Sequence, residues 1–235
     1  MEDAPQNIPY IHFMVRFWFS FANIVAVALL VAIFSSACRI SIHGGRKVKK
    51  PVIYLYPTLT SDVEVKLETE MDLTLTEPVY ANGWKVTASP DGKLVNAADG
   101  RIYPYLFWEA TDRYEYNFDQ GFCIAGEEVE AFLDSQLVVM GLNETEKKDF
   151  IAYWLPDLRK NKFNLITFPG AEYTSRAELH ITPEPNSILR VFMVFKTCNE
   201  PVKIPAQHFP SFHRKGFTVV EWGGTDVSIP LDELN

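Results

Sequence analysis

The run Phe17–Ala37, FWFSFANIVAVALLVAIFSSA, carries no charge over 21 residues. At about 1.5 Å rise per residue, roughly 20 helical residues cross a bilayer core of about 30 Å. A helix apolar on every face has no polar side to present to water. The run is therefore read as membrane-associated, and it divides the chain. Residues 1–16 form an N-terminal extension. Residues 17–38 form a transmembrane helix, a signal anchor or a lipoprotein leader. Residues 39–50 form a basic tether, and residues 51–235 a single β-rich domain.

The flanks of the run bear on how it meets the membrane. Arg16 before it and Ser35-Ser36-Ala37-Cys38 after it resemble a bacterial lipoprotein signal, in which small residues precede a cysteine that becomes lipid-modified. Ser35 stands where such signals usually carry Leu. The resemblance makes Cys38 the lipidation candidate. Ser-Ser-Ala also suits cleavage by an ordinary signal peptidase, and Met14 offers a second start. By contrast, Arg39, Arg46, Lys47, Lys49 and Lys50 follow the run closely. The positive-inside rule then retains the helix and leaves the domain in the cytoplasm. The Cys38 context favours an extracytoplasmic domain.

Charge is divided along the same line. Residues 1–50 hold six basic side chains against Glu2 and Asp3. That leaves 16 basic and 28 acidic side chains, a net of −12, for residues 51–235. An acidic domain is a poor partner for nucleic acid. Cys123 and Cys198 remain once Cys38 is set aside. They are either a disulfide in an oxidising compartment or two separate thiols. No CxxC motif, glycine-rich phosphate loop, G-x-S-x-G or H-E-x-x-H element occurs, and nothing calls for a cofactor.

Period-two alternation dominates the domain. Val52–Tyr56 reads as a buried strand. Asp62–Glu68 alternates with Val63, Val65 and Leu67 on one face, and Met71, Leu73 and Leu75 repeat the period, which suggests a hairpin. Trp84–Ala88 and Lys93–Val95 flank Ser-Pro-Asp-Gly, a hairpin turn. Ile102–Ala110, Tyr116–Ile124, Leu165–Phe168, Ala177–Thr182, Ser187–Lys196 and Phe217–Trp222 complete the strands.

Helical spacing occurs once. Val129, Phe132, Leu133, Gln136, Leu137 and Met140 form one stripe, with Gly141 as its stop. Asn143 caps a second helix with Glu146 three residues on, and that helix breaks near Pro156. Asn143-Glu144-Thr145 is also a glycosylation sequon, but capping is the preferred reading. These elements predict an α+β domain: a mostly antiparallel sheet or sandwich of eight to ten strands with an inserted helical hairpin.

Five runs carry a further resemblance: Lys50-Pro-Val-Ile-Tyr-Leu-Tyr-Pro57, Tyr105-Leu-Phe-Trp-Glu109, Tyr153-Trp-Leu-Pro156, Arg190-Val-Phe-Met-Val194 and Phe217-Thr-Val-Val-Glu-Trp-Gly-Gly224. Together they resemble a family of bacterial cell-envelope proteins, often with a signal or lipoprotein leader, to which no activity is assigned. The resemblance implies one envelope domain and brings no catalytic residues with it.

Strand parity nominates candidate sites. Leu106, Trp108 and Ala110 share one face, so Tyr103, Tyr105, Phe107 and Glu109 share the other, an aromatic surface suited to a sugar or a partner strand. Glu221 lies on the face of Phe217 and Val219. If their strands are neighbours, Glu109 and Glu221 form a carboxylate pair of the kind glycosidases use. Glu178 and His180 share the outer face of their strand with Arg176 and are the weak metal-ligand candidates. The bland alternative is a solvated face with cross-strand ion pairs such as Glu109 with Arg190. A non-catalytic domain that binds a protein or glycan is the leading expectation, with a Glu109/Glu221 hydrolase as the alternative.

Overall fold

The computed structural model describes residues 45–234. The apolar run 17–37 and Cys38 lie outside the described residues. Among the described residues, no helix is long and apolar enough to cross a membrane.

Strand β1 spans Arg46–Tyr56, so residues 46–50, expected as the end of a tether, belong to the domain. Arg46 is buried and donates to the carbonyls of Tyr114 and Ile229 and to Glu115. In the sequence the boundary falls at Pro51, a residue that cannot donate to a ladder. The structure accommodates it with a bulge instead. The register of β1 shifts between Lys49 and Val52, and Lys50 takes φ +58°.

The remaining strands are β2 (Ser61–Thr69), β3 (Asp72–Glu77), β4 (Trp84–Ala88), β5 (Leu94–Asn96), β6 (Ile102–Tyr103), β7 (Leu106–Asp112), β8 (Phe122–Ala125), β9 (Phe163–Thr167), β10 (Ala177–Thr182), β11 (Ser187–Cys198) and β12 (Thr218–Asp226). They form a seven-stranded sheet, β3-β7-β1-β12-β11-β9-β8, and a five-stranded sheet, β10-β2-β4-β5-β6. Every pairing is antiparallel except β11 with β12.

Three layers result. Ile53, Leu55, Leu106, Trp108, Phe192 and Val219 of the large sheet meet Val63, Val65, Trp84 and Val86 of the small one. The other face of the large sheet, with Val52, Tyr54, Val191, Met193, Val220 and Trp222, is covered by helices α1 (Val129–Met140) and α2 (Glu144–Leu158) through Leu133, Leu137, Phe150 and Trp154. A central strand buried on both faces loses its alternation of exposure, and Val191–Phe195 is buried without a break.

The β4–β5 hairpin and the helical pair form as the sequence indicates. The Asn143 side chain accepts from the N–H groups of Thr145 and Glu146, and Glu146 accepts from the Asn143 N–H. Helix α2 runs through Pro156 to Leu158 rather than breaking there. Other expectations are corrected. Strands β2 and β3 are not a hairpin; they enter different sheets. Ile102–Ala110 is two strands, because Pro104 lies between β6 of the small sheet and β7 of the large one. Tyr116–Gly121 is not strand, and only Phe122–Ala125 pairs.

The parallel β11–β12 pair requires a crossover of a dozen or more residues. Here it is an irregular strap, residues 199–217, fastened along its length. Gly121 N–H donates to Pro205, the Gln207 amide exchanges two hydrogen bonds with the Phe168 peptide, and Arg214 reaches Glu146. The Trp222-Gly-Gly224 run is explained by close approach. A Cβ on Gly224 would lie 2.4 Å from the Met193 carbonyl oxygen and 2.8 Å from the Trp154 indole.

Candidate functional site

Glu221 sits between the two sheets, 1% exposed. Parity places it there with Phe217 and Val219, as expected from the sequence. Its carboxylate accepts from Arg190 Nε at 2.6 Å, Tyr173 Oη at 3.2 Å and Trp108 Nε1 at 3.3 Å. Arg190 lies one strand away in register, on β11 opposite Glu221 of β12. Burial opposes the Arg190 charge, but Glu221 and Tyr173 offset it and raise the pKa of the guanidinium. Burial, then the Glu221 charge, pushes the Tyr173 phenol far above its ordinary value.

Glu109 does not join this group. On β7 it alternates with Trp108 and Ala110, whose side chains fill the inter-sheet layer, so it points to the helical side with Phe107. Its charge is felt there by Tyr153 of α2, whose phenol is pushed up to about 12 by burial and then by Glu109. The two acids stand on opposite faces of one sheet. The paired-carboxylate arrangement is absent, and Arg190 is the partner of Glu221 rather than Glu109.

The aromatic face anticipated from Tyr103, Tyr105, Phe107 and Glu109 is divided in the same way. Tyr103 belongs to the small sheet and donates to Asp99. Tyr105 and Phe107 face the helices, where the bulge at Lys50 delivers a cation to them. Lys50 Nζ bonds Tyr105 Oη at 3.0 Å and lies 5.0, 5.1 and 5.7 Å from the ring centres of Tyr105, Phe107 and Tyr153. The rings are occupied from within the chain.

His180 and Glu178 stay on an exposed strand face. His180 meets Glu68 at 3.1 Å, and Glu178 lines a polar cavity of about 330 Å³ with Glu68, Glu70 and Arg176. Arg176 in that cavity is bound to Asp112 at 2.7 Å. Among the described residues, no three His, Cys, Asp or Glu side chains converge for a metal ion. Cys123 and Cys198 are free. They lie on β8 and β11 with β9 between them, beyond the span of a disulfide.

A second cavity, of about 280 Å³, was not anticipated. It opens where β9 leaves the large sheet. Strand β9 pairs with β11 only from Val194 onward, because Phe168-Pro169-Gly170 turns the chain away and Pro169 has no N–H to extend the ladder. The stretch Leu189–Phe192 is thus paired by β12 on one side and borders the cavity on the other. Phe168 and Gly170, Met140 at the end of α1, and Phe209–Phe212 of the strap complete the wall. The polar side chains of this wall are Ser211 and Arg190. The Arg190 side chain is 8% exposed, and its Nη2 is buried with no acceptor. The signal in the sequence was a lone charge inside the apolar run of β11, which parity assigned to an outer face.

In comparisons with known proteins, no family model matches the chain, and neither a curated protein nor a solved structure matches it.

Proposed function

We propose that this chain is a membrane-anchored, non-catalytic binding domain of the cell envelope. The anchor and the envelope setting rest on the Phe17–Ala37 run, the Cys38 context and the five runs between Lys50 and Gly224 that resemble envelope proteins. The binding role rests on one observation: the cavity at the open side of β11, an apolar recess of about 280 Å³ with Ser211 and Arg190 as the polar residues of its wall. Binding sites are concave, mostly apolar and carry few, well-placed polar groups. A glycan is a poor occupant, since apart from Ser211 and Arg190 the wall offers its many hydroxyls no polar side chain. Hydrolysis by an acid pair is disfavoured, since Glu109 and Glu221 face opposite layers and Glu221 already accepts three hydrogen bonds.

Thermal unfolding of the full-length protein in nanodiscs, screened against small molecules, tests the binding role. Ligands are expected to raise the melting temperature of the wild type and not of Leu189→Trp, whose indole would fill the cavity. Equal stabilisation of both proteins would remove the cavity as the site. Glycosidic hydrolysis abolished by Glu109→Gln or Glu221→Gln would restore the enzymatic reading. Fractionation of intact cells tests the anchor, with release of the chain by a salt wash alone as the outcome against it.

A further inference from the structure

We infer that the β11 cavity receives an extended peptide from a protein partner, which adds a short strand beside Ile188–Arg190 and places apolar side chains in the recess. The inference rests on the binding role proposed above and names the partner.

The direction of the β11 peptide groups comes first. Along a strand, the N–H and C=O of successive residues point to opposite edges. Ser187 N–H donates to Phe217 and the Phe195 carbonyl accepts from Val227, at the two ends of β12. Odd-numbered residues of β11 therefore serve β12, and Ile188, Arg190 and Phe192 turn their N–H and C=O to the other edge. On that edge β9 pairs only from Val194 onward. Among the described residues, no group of the strap and no side chain bonds the main chain of Ile188, Arg190 or Phe192.

The open part of this ledge is main chain. Arg190 borders the cavity although its side chain lies between the sheets with Glu221. That side chain is 8% exposed while the residue as a whole is half-buried, so solvent reaches the Arg190 main chain. Ile188 is 43% exposed at the outer end, and Phe192, 1% exposed, closes the inner end. Unpaired N–H and C=O groups at strand spacing are a template for another strand. An extended peptide repeats its own donors and acceptors at the same interval, about 6.6 Å between alternate residues.

The far edge of the same sheet is built in the opposite sense. Strand β3 carries a bulge between Leu73 and Leu75 and exposed acids at Asp72 and Glu77. Such devices discourage pairing. The β11 ledge has neither, since its register with β12 is unbroken and the Arg190 charge is turned away.

Wall and charge narrow the partner. Side chains of an added strand alternate, so every second one would face Met140, Phe168, Phe209 and Phe212. A cavity of about 150 Å³ holds benzene. The 280 Å³ here takes two apolar side chains of medium size. Residues 201–217 of the strap contain Lys203, Arg214 and Lys215 and no acid, within a domain of net charge −12. Lys215 is exposed, and its N–H bonds the Ser187 hydroxyl next to Ile188, which sets a cation at the open end of the ledge. The partner segment is therefore apolar at alternate positions with an acidic residue beside them.

The test uses the full-length protein in nanodiscs. The probes are displayed random peptides about nine residues long, more than the ledge spans at about 3.3 Å per residue. They are selected on the wild type and counter-selected on Leu189→Trp, and the enriched sequences are synthesised for fluorescence anisotropy. N-methylation of the peptide at every second residue is expected to weaken binding about tenfold or more, and methylation at the intervening residues to leave it within about twofold. Ile188→Pro removes a donor from the ledge and none from the β12 ladder, so it should keep the urea midpoint and bind about tenfold more weakly. Lys215→Glu should weaken binding severalfold, and less so at high salt. Should Ile188→Pro fail to fold, the methylation pattern on the wild type decides alone. Peptides that bind the wild type, are lost in Leu189→Trp and show no alternating effect of methylation would overturn strand addition and leave the binding role standing. No enrichment on the wild type over Leu189→Trp would overturn the peptide partner, and the small-molecule screen would then judge the binding role by itself.

Discussion

Two arginine–glutamate pairs, each with a fully buried glutamate, hold this domain, and they are built differently. Glu146, 0% exposed, accepts from both Nη atoms of Arg214 and from the backbone and side-chain amides of Asn143. Arg214 is 30% exposed and spends a further N–H on the Gly141 carbonyl. That pair ties the strap to the junction of α1 and α2. Glu221 and Arg190 are both enclosed, and there Trp108 and Tyr173 share the carboxylate with the arginine. The outer pair, which joins the strap to the helical junction, is a fastener. The inner pair belongs to the layer between the sheets, where its neighbours are core side chains.

Breaking the inner pair should cost the most. Glu221→Leu leaves Arg190 buried without its anion and removes the acceptor of Trp108 and Tyr173. A loss of about 3–5 kcal/mol is expected in urea unfolding of the full-length protein. A loss below about 1 kcal/mol would mean that water reaches Arg190, and the contrast between the two pairs would disappear.

Arg214→Ala should cost less, about 1–3 kcal/mol. Glu146 would still hold the Asn143 cap, and water can approach from the side that Arg214 leaves open. The measurement is again the urea midpoint, with hydrogen exchange along residues 205–214 as a second readout. Faster exchange confined to the strap is expected. An effect equal to that of Glu221→Leu would show that the outer pair carries the core and not only the strap.

How much of this was legible before the structure depends on the range of the interaction. The α1–α2 pair and its Asn143–Glu146 capping box follow from residues three and four apart, and they form as read. Parity put Glu221 on the face of Val219 correctly, because alternation is local. It misplaced Arg190, because parity says which residues share a face and not what covers that face. Both faces of β11 are covered, one by the small sheet and one by the helices. Strands β2 and β3 alternate alike and lie close in sequence, yet join different sheets, a choice made by partners far along the chain: Ala177–Thr182 for β2 and Phe107–Thr111 for β3. The cavity had no local signature, since it exists where β9 ceases to accompany β11.

Gly141→Ala probes the outer fastener from the other side. Gly141 ends α1 at φ +105°, and an added Cβ would meet Phe212 Cβ at 2.9 Å. The left-handed conformation and the contact together should cost about 1–2 kcal/mol. Phe212 also borders the cavity, so ligand affinity should fall with stability. Unchanged affinity would mean that the strap moves as a unit without deforming the cavity wall.

The smallest effect is one the two pairs share, and it is read by pH. Each has a tyrosine beside it: Tyr173 bonds Glu221, and Tyr56 lies near Glu146. Both phenols are raised above their ordinary value, each first by burial and then by the neighbouring glutamate; the partner arginine, Arg190 at Tyr173 and Arg214 at Tyr56, partly offsets this. The sign follows from linkage. A phenol raised in the folded chain binds its proton more tightly there than in the unfolded chain. Its contribution is fully present below the unfolded value of about 10 and is lost as pH rises beyond it. Stability should therefore be insensitive to these two groups between pH 7 and 9 and should fall above 10. For one fully enclosed tyrosine the loss at pH 10.5 is about 1 kcal/mol at most. Urea midpoints at pH 8 and pH 10.5 read it directly. Tyr173→Phe and Tyr56→Phe should each remove about the same share of the alkaline loss, because both phenols are raised far enough to stay protonated in the folded chain at pH 10.5 and the unfolded value alone sets the loss. If both variants keep the full alkaline loss, other groups govern it, and neither glutamate is as isolated from water as the packing around it implies.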